Sequence, residues 1–249
     1  MNDFKVLSKA PITEAILDIK AKLPDGVDLS IFDEFQEKIK TRFEDRKTKR
    51  SLKAEFKFLP GKDESSPIVP EEKVEGFMYI SKADNKIVQA GLGGFTFNKL
   101  NPYEDWIKFH SEARELWELY NKITKPTSVD RISLRYINRI EIPLPLGDFS
   151  EYILTNPTVA PKLSQALSHF LMRIEIPNDG IQALAIITET MQPQTESEKL
   201  PLIFDIDVIK VFNYTEKEPE MWQDFNLLRQ FKNEIFFNSI TDKTKELFK

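Results

Sequence analysis

The stretch SVDRISLRYINRIEIPL, residues 128–144, alternates apolar and polar side chains over most of its length. The even positions from Ile132 to Ile142 are apolar or aromatic apart from one asparagine, and arginine recurs at every fourth residue, at the odd positions 131, 135 and 139. Side chains two residues apart share one face of a β-strand. The pattern therefore predicts a half-buried strand with an apolar face and a polar face that carries three guanidinium groups.

Two uses fit these arginines, and the first is ligand binding. Successive arginines are about 13 Å apart at a rise of roughly 3.3 Å per residue, so the three do not grip one small anion together. Two of them suit successive phosphates or carboxylates of an extended ligand, because the planar guanidinium fork binds both groups. This hypothesis gives a candidate anion-binding site made of Arg135, Tyr136, Asn138 and Arg139.

The second use is structural. In IFDIDVIKV, Asp205 and Asp207 share a strand face opposite to the apolar side chains. Opposite charges that face each other across two strands stabilise a sheet by roughly 0.2–1 kcal/mol per pair. We therefore expect Arg135 and Arg139 to pair with Asp205 and Asp207, and we favour this ladder of ion pairs over the ligand site. Further carboxylates on polar strand positions are Glu175 and Glu189.

The rest of the chain shows the periodicities of further strands and helices. Strands are expected at 14–23, 54–59, 74–82, 86–100, 169–177, 181–191 and 200–212, and helical segments at 28–43, 101–124, 147–156 and 218–248. Strands occur in runs and do not alternate strictly with helices, which predicts an α+β fold with mostly antiparallel sheet packed by long amphipathic helices. Residues 1–125 and 126–249 share a β-α-β-β-β-α outline, so two similar halves are predicted to pack closely as one globular unit.

Three short segments have simple structural interpretations. GLGG, residues 91–94, is not followed by a helix as a phosphate loop would be, and indicates a bulge or a close backbone approach within a strand. The basic run EDRKTKRSLK, residues 44–53, is interpreted as a solvated turn. SITDK interrupts the last helix, because Thr241 or Asp242 suits the N-cap of a final short helix.

The composition excludes several classes of function. The chain has 249 residues and no cysteine, which rules out disulfides, thiolate catalysis and iron–sulfur clusters. Its net charge of −5 gives no global positive field, so nucleic acid is not expected as a partner. The N-terminal segment lacks the apolar core of a signal peptide, and no apolar run approaches the roughly 18 residues of a membrane span. We expect a cytoplasmic protein with no membrane contact.

Motifs of catalysis are missing from the sequence. His110 and His169 are the only histidines and lack the spacing of metal ligands, and neither a G-x-S-x-G motif nor a P-loop occurs. The sequence therefore predicts no catalytic residue, metal or cofactor, and favours a non-enzymatic role. Phe236 and Phe237 extend the apolar arc of the last helix beyond one face. They are predicted to contact a protein partner or a second copy of the chain.

Three segments together resemble a sporadically distributed family of uncharacterised bacterial and archaeal proteins of about this length. They are APITEAILDI (10–19), FTFNKLNPYEDWIKFHSEARELWELY (95–120) and VDRISLRYINRIEIP (129–143). The resemblance supplies no catalytic residues, and a sporadic distribution is typical of genes in defence or conflict systems. Together with the missing catalytic motifs, this favours a non-enzymatic binding or adaptor protein that acts with a protein partner in such a system. The alternative is a sensor or enzyme for a small anionic, nucleotide-like ligand bound between sheet and helices.

Overall fold

The computed structural model describes residues 7–53, 71–165, 167–193, 198–212, 214 and 218–249. Within these ranges nine strands form one sheet, on which four helices are arranged. The strands are β1 (Ile12–Lys22), β2 (Asp45–Lys53), β3 (Glu71–Ser81), β4 (Lys86–Gly91), β5 (Gly94–Leu100), β6 (Ser128–Pro143), β7 (Leu171–Asn178), β8 (Ala183–Met191) and β9 (Lys199–Val211). The helices are α1 (Ile31–Ile39), α2 (Trp106–Thr124), α3 (Glu218–Ser239) and α4 (Asp242–Glu246). All neighbouring strands are antiparallel, which confirms the predicted α+β class with antiparallel sheet.

The sheet is continuous from one end of the fold to the other. Its strand order is β2-β3-β4-β5-β1-β6-β9-β8-β7. β1 and β6 lie side by side in the middle, where Leu17 is opposite Leu134. Every strand on the β1 side of this border precedes residue 126, and every strand on the β6 side follows it. One sheet therefore runs through both of the predicted halves.

The two faces of the sheet differ in what covers them. α3 packs against β6 and β9, α2 against β5, and α1 against β3 and α2. We call the covered side the helix face and the other side the polar face. Asp105 caps α2 by accepting a hydrogen bond of 2.8 Å from the N–H of Lys108. No helix in the described part of the chain is long and apolar enough to cross a membrane.

The predicted break in the last helix is confirmed. α3 ends at Ser239, and the Thr241 hydroxyl accepts a hydrogen bond of 3.2 Å from the N–H of Thr244 at the start of α4. The side chain of Thr244 in turn bonds the carbonyl of Tyr152, far back in the chain. The break therefore fixes the C-terminus onto the segment that precedes β7.

Two predictions of local structure were wrong. The basic run at 44–53 forms β2, because Arg46 turns onto the helix face and its guanidinium carbon lies 3.5 Å from the ring centre of Phe77. The predicted strand 86–100 is a hairpin, in which Gly91 pairs with Gly94 around a two-residue turn. The strand predicted at 54–59 and most of the loop predicted at 60–72 lie outside the described residues.

The close backbone approach predicted for GLGG is confirmed. A Cβ atom on Gly91 would lie 2.4 Å from the carbonyl oxygen of Glu75, and one on Gly94 would lie 2.1 Å from that of Ile19. Gly94 also has a φ of 135°, a conformation that residues with a side chain rarely adopt. The two glycines thus let the neighbouring strands pack around this hairpin.

Candidate functional site

The arginines of β6 lie on the polar face and bind carboxylates of the chain itself. Arg135 Nε donates to Asp205 Oδ1 at 2.9 Å, and Arg131 Nη2 donates to Asp18 Oδ2 at 2.9 Å. Arg139 Nε donates to Glu141 Oε1 at 2.5 Å. Each guanidinium is therefore already engaged, as the ladder of ion pairs requires.

The ladder differs from the prediction at Arg139 and at Asp207, whose Oδ1 is buried without a hydrogen-bond partner among the described residues. Arg135 pairs with Asp205 as expected, but Arg139 does not reach either aspartate. In the register of β6 against β9, Arg139 is opposite Ile203, two residues before Asp205. It bonds Glu141 on its own strand and Gln192 Oε1, at 2.9 Å, instead.

The four residues of the predicted anion site are divided between the two faces. Tyr136 and Asn138 are buried on the helix face, whereas Arg135 and Arg139 are on the polar face. Asn138 Nδ2 donates to the carbonyl of Phe204 at 2.9 Å and so helps to join β6 to β9. A ligand on either face contacts at most two of the four residues.

The phenylalanines predicted to meet a partner pack inside the fold. Phe236 is 6% exposed and stacks on Phe204, with ring centres 5.9 Å apart. Phe237 is partly buried and lies edge-on to Phe236 at 5.3 Å. The wide apolar arc of α3 is therefore used to cover β9.

A pair of cations on α3 forms a different candidate site on the helix face. The Lys232 ammonium lies 3.8 Å from the ring centre of Tyr136, and the residue is only 8% exposed. The Arg229 guanidinium, one turn earlier, lies 5.6 Å from the ring centre of Trp106. Among the described residues neither cation has a hydrogen bond or a carboxylate partner. A buried charge without a counter-ion is costly, so this arrangement suits an anion from outside the chain.

Lys210 shows what a paired lysine at the same interface looks like. It lies on β9 and donates to Asp224 Oδ1 of α3 at 2.8 Å. The Tyr214 hydroxyl donates to the other oxygen of the same carboxylate at 2.5 Å. Lys210 thus has its carboxylate partner within the chain, whereas Lys232 and Arg229 have none among the described residues.

Two tyrosines connect the cation pair to the surface. The hydroxyls of Tyr103 and Tyr136 are 2.8 Å apart and share one hydrogen bond. Tyr103 also lines a groove of about 440 Å³. The groove has four cationic and four acidic side chains beside its aromatic ones, and its other residues are Arg42, Lys86, Phe97, Lys99, Glu104, Asp105, Lys108, Phe109, Ser111, Glu112 and Glu115. A path of direct contacts therefore leads from the groove through Tyr103 and Tyr136 to Lys232.

Burial shifts the protonation of this site strongly. Removal from water, and then the charge of Arg229, lowers the pKa of Lys232 to about 7. Burial raises the pKa of Tyr103 to about 12 and that of Tyr136 well above its usual value. At neutral pH the tyrosines are thus uncharged donors, and Lys232 is poised between its charged and neutral forms.

A second unpaired group lies on the helix face of β8. Glu189 is 1% exposed, and neither of its carboxylate oxygens has a hydrogen-bond partner among the described residues. Burial raises the pKa of this carboxyl to about 8. Lys232 is not among the groups that shift it, so the two unpaired groups act separately.

The histidines do not form a metal site. His110 lies between two tryptophans, 4.8 Å from the ring centre of Trp106 and 5.1 Å from that of Trp222, and burial lowers its pKa. His169 lines a separate hollow near the β8–β9 turn. No group of three potential metal ligands occurs among the described residues.

Sequence reasoning missed Lys232 and Arg229 because they lie in a polar stretch of α3, RQFKNE at 229–234. Their spacing of three residues places them on one side of α3, but the partners on that side come from β6 and α2. Comparisons with family models, curated proteins and solved structures found no match. The case for a function therefore rests on the geometry of the chain itself.

Proposed function

We propose that this chain binds a small anionic ligand between the sheet and helix α3. The observation that carries the proposal is the buried, unpaired Lys232 beside Arg229. The ligand would supply the counter-ion that the described residues lack, and its anionic group would accept hydrogen bonds from both cations. Phosphate and carboxylate are the groups that such a pair of donors suits best.

The surrounding side chains favour a ligand that also has a flat apolar part. Trp106 stands beside Arg229, and its indole N–H is held by Asn226 Oδ1 at 2.9 Å. Tyr103 and Phe109 form an aromatic wall, with ring centres 5.8 Å apart, that reaches the groove. A nucleotide has a phosphate for the cations and a base for these rings, so a nucleotide-like ligand matches the site.

Binding should depend on pH because Lys232 must be protonated to attract the anion. Its pKa of about 7 in the free protein means that raising the pH above 7 removes the ammonium charge. The other polar groups near Lys232 are the Arg229 guanidinium and the phenols of Tyr103 and Tyr136, and burial raises the pKa of both phenols so that they stay neutral. Affinity for an anion of constant charge should therefore fall as the pH rises through 7.

Sulfate is a suitable first probe because its charge is constant over the relevant pH range. We expect sulfate to raise the melting temperature of the full chain at pH 6 more than chloride does at equal ionic strength. Isothermal titration with nucleoside monophosphates should then give tighter binding than sulfate. Lys232→Met should abolish both effects, and Arg229→Met should weaken them.

Lys122→Met is the matched control, since Lys122 is an exposed lysine on a helix. It should bind sulfate and nucleotides as the wild type does. Lys232→Met keeps the helix and removes only the buried charge, so it should fold. Equal sulfate effects in wild type and Lys232→Met, or none at pH 6 in the wild type, would contradict the proposal.

A second candidate function is that of an adaptor for a protein partner, which the missing catalytic motifs favour. The observation in its favour is β7 at the end of the sheet, where Leu171 is 70% and Ile176 is 38% exposed. An edge strand can receive an extended segment of another protein. A photo-crosslinker at position 171 should then capture a different protein in the native cells, and one at exposed Leu154 should not. Crosslinks only between copies of the chain would contradict the adaptor role.

A further inference from the structure

The two edge strands of the sheet are protected to different degrees. β2 has the sequence DRKTKRSLK, and such a density of lysine and arginine is a common way to prevent edge-to-edge pairing. β7 has the sequence LMRIEIPN, with one arginine, one glutamate and no lysine. Its apolar residues extend over most of its length. β7 is therefore the edge that is ready to pair.

The backbone of β7 shows which of its groups are free for pairing. The carbonyl of Phe170, just before β7, accepts a hydrogen bond of 3.3 Å from the N–H of Met191 on β8. Backbone groups alternate in direction along an antiparallel strand. Those of Leu171, Arg173, Glu175 and Pro177 consequently point away from β8. Pro177 lacks an N–H, which limits pairing at that end and suits an edge strand.

The side chains of β7 are complementary to themselves. Arg173 and Glu175 are two residues apart on the polar face, where Arg173 Nη2 lies 2.9 Å from Glu175 Oε1. Both side chains are more than half exposed. Met172, Ile174 and Ile176 share the opposite side. If two copies of β7 run antiparallel about Ile174, each Arg173 is opposite the other copy's Glu175 and each Met172 is opposite Ile176.

We propose that β7 pairs with β7 of a second copy of this chain, antiparallel and centred on Ile174. The two sheets then form one continuous sheet through both chains. Outward backbone groups of Arg173 bond those of Glu175 in the other copy, and the two charge pairs lie directly across the new border. The proposal is independent of the anion site, which lies on the far side of β9 from β7.

The two-fold symmetry of this pairing permits a sharp test by charge reversal. Arg173→Glu gives a β7 with two carboxylates, and Glu175→Arg gives one with two guanidinium groups. Each variant should repel its own copies, and we expect dimer dissociation constants at least about tenfold above that of the wild type. An equimolar mixture of the two variants should form a heterodimer, because every carboxylate then faces a guanidinium group.

Sedimentation velocity of the full chain over a range of concentrations measures all of these states. Both positions are exposed, so the variants should fold, which circular dichroism checks. Arg114→Glu is the control, because it reverses a half-exposed charge paired with Glu118 on α2 and should leave the dimer unchanged. A wild type that remains monomeric at every concentration would overturn the proposal. So would single variants that dimerise normally, or a mixture that fails to restore the dimer.

A disulfide tests the register. The chain has no cysteine, and residue 174 would face itself across the two-fold axis in a pair without backbone hydrogen bonds, where the side chains are closest. Ile174→Cys should oxidise rapidly to a covalent dimer, and Leu171→Cys should do so much more slowly. The reverse order would show that the strands meet in another register or that another surface forms the dimer.

Discussion

β6 has side chains on both faces of the sheet, and the two faces differ in how the charged side chains near this strand are paired. On the polar face each arginine of β6 binds a carboxylate supplied by the same sheet. On the helix face Lys232 and Glu189 are buried with no partner of opposite charge in the described part of the chain. Packing of α3 on the sheet also yields one closed pair, Lys210 with Asp224, so the contrast lies between these paired charges and the unpaired Lys232 and Glu189.

The difference matters because an exposed ion pair and a buried unpaired group change the free energy of unfolding by unequal amounts. An ion pair that is partly exposed adds little to stability, often less than about 1 kcal/mol. An unsatisfied polar group in the interior costs about 1–3 kcal/mol, and an ionised one costs more. Lys232 and Glu189 therefore make the larger individual contributions, and both are unfavourable. Replacement of these groups should stabilise the protein, whereas replacement on the polar face should destabilise it.

Replacement of Glu189 should change the free energy of unfolding more than the other substitutions do. Its carboxyl has a pKa of about 8 in the folded state and about 4.3 in the unfolded chain. The folded state thus binds an extra proton between pH 4.5 and 8, and this group makes stability fall as the pH rises through that window. Glu189→Leu should be more stable than the wild type by about 2–4 kcal/mol at pH 8. Urea denaturation measures the difference.

The pH profile is the internal control for this prediction. The advantage of Glu189→Leu should shrink as the pH is lowered toward 4.5, where the folded-state carboxyl is already protonated and the unfolded-state carboxyl is about half protonated. Glu34→Leu, at an exposed site on α1, should not be stabilised at pH 8. A variant that is destabilised at pH 8 would mean that Glu189 has a partner in the protein as it exists in solution.

Lys232 should show the opposite dependence on pH. Its ammonium has a pKa of about 7 in the folded state and about 10.4 in the unfolded chain. The unfolded state binds the extra proton between these values, so stability rises as the pH increases from 7 to 10. Lys232→Met should raise the free energy of unfolding by about 1–3 kcal/mol at pH 6, because the wild type buries a charged ammonium at that pH. The gain is smaller than for Glu189 because the contact with Tyr136 offsets part of the cost.

Chemical denaturation at pH 6 and pH 10 checks this second prediction, with Lys210→Met for comparison. Lys210 is paired with Asp224, so its replacement should destabilise the protein at pH 6. Saturating sulfate should reverse the order of the wild type and Lys232→Met at pH 6, because only the wild type gains a counter-ion. If Lys232→Met and Lys210→Met changed the free energy of unfolding alike, the unpaired Lys232 and the paired Lys210 would not differ in energy, and the prediction would be wrong.

The sequence predicted the paired charges far better than the unpaired ones, for a physical reason. Period-two alternation shows directly which side chains of β6 share a face, so the ion pair of Arg135 with Asp205 was foreseeable. Glu189 is different, because both parities of β8 contain apolar residues and its strand face was assigned wrongly as polar. Lys232 gave no signal at all, since its burial depends on where α3 packs. The hairpin at GLGG was also hidden, because alternation continues on both sides of the turn.

The smallest effects are expected on the polar face, and they separate two arginines that look equivalent in the sequence. Arg135→Ala removes the bidentate partner of Asp205, which is 8% exposed. It should lower the free energy of unfolding by about 1–2 kcal/mol at pH 7. Arg139→Ala removes a bond to Glu141, whose side chain is 36% exposed, and should cost no more than about 0.5 kcal/mol. Urea denaturation at pH 7 measures both.

A double-mutant cycle distinguishes pairing from packing for Arg135. Coupling between Arg135→Ala and Asp205→Ala should account for most of the loss, since the bonds run to that carboxylate alone. Sulfate should stabilise both arginine variants as much as the wild type, because the proposed anion site lies on the opposite face of β6. If Arg135→Ala instead lost the sulfate effect while keeping its stability, the ligand site would lie on the polar face and the contrast between the faces would have to be reversed.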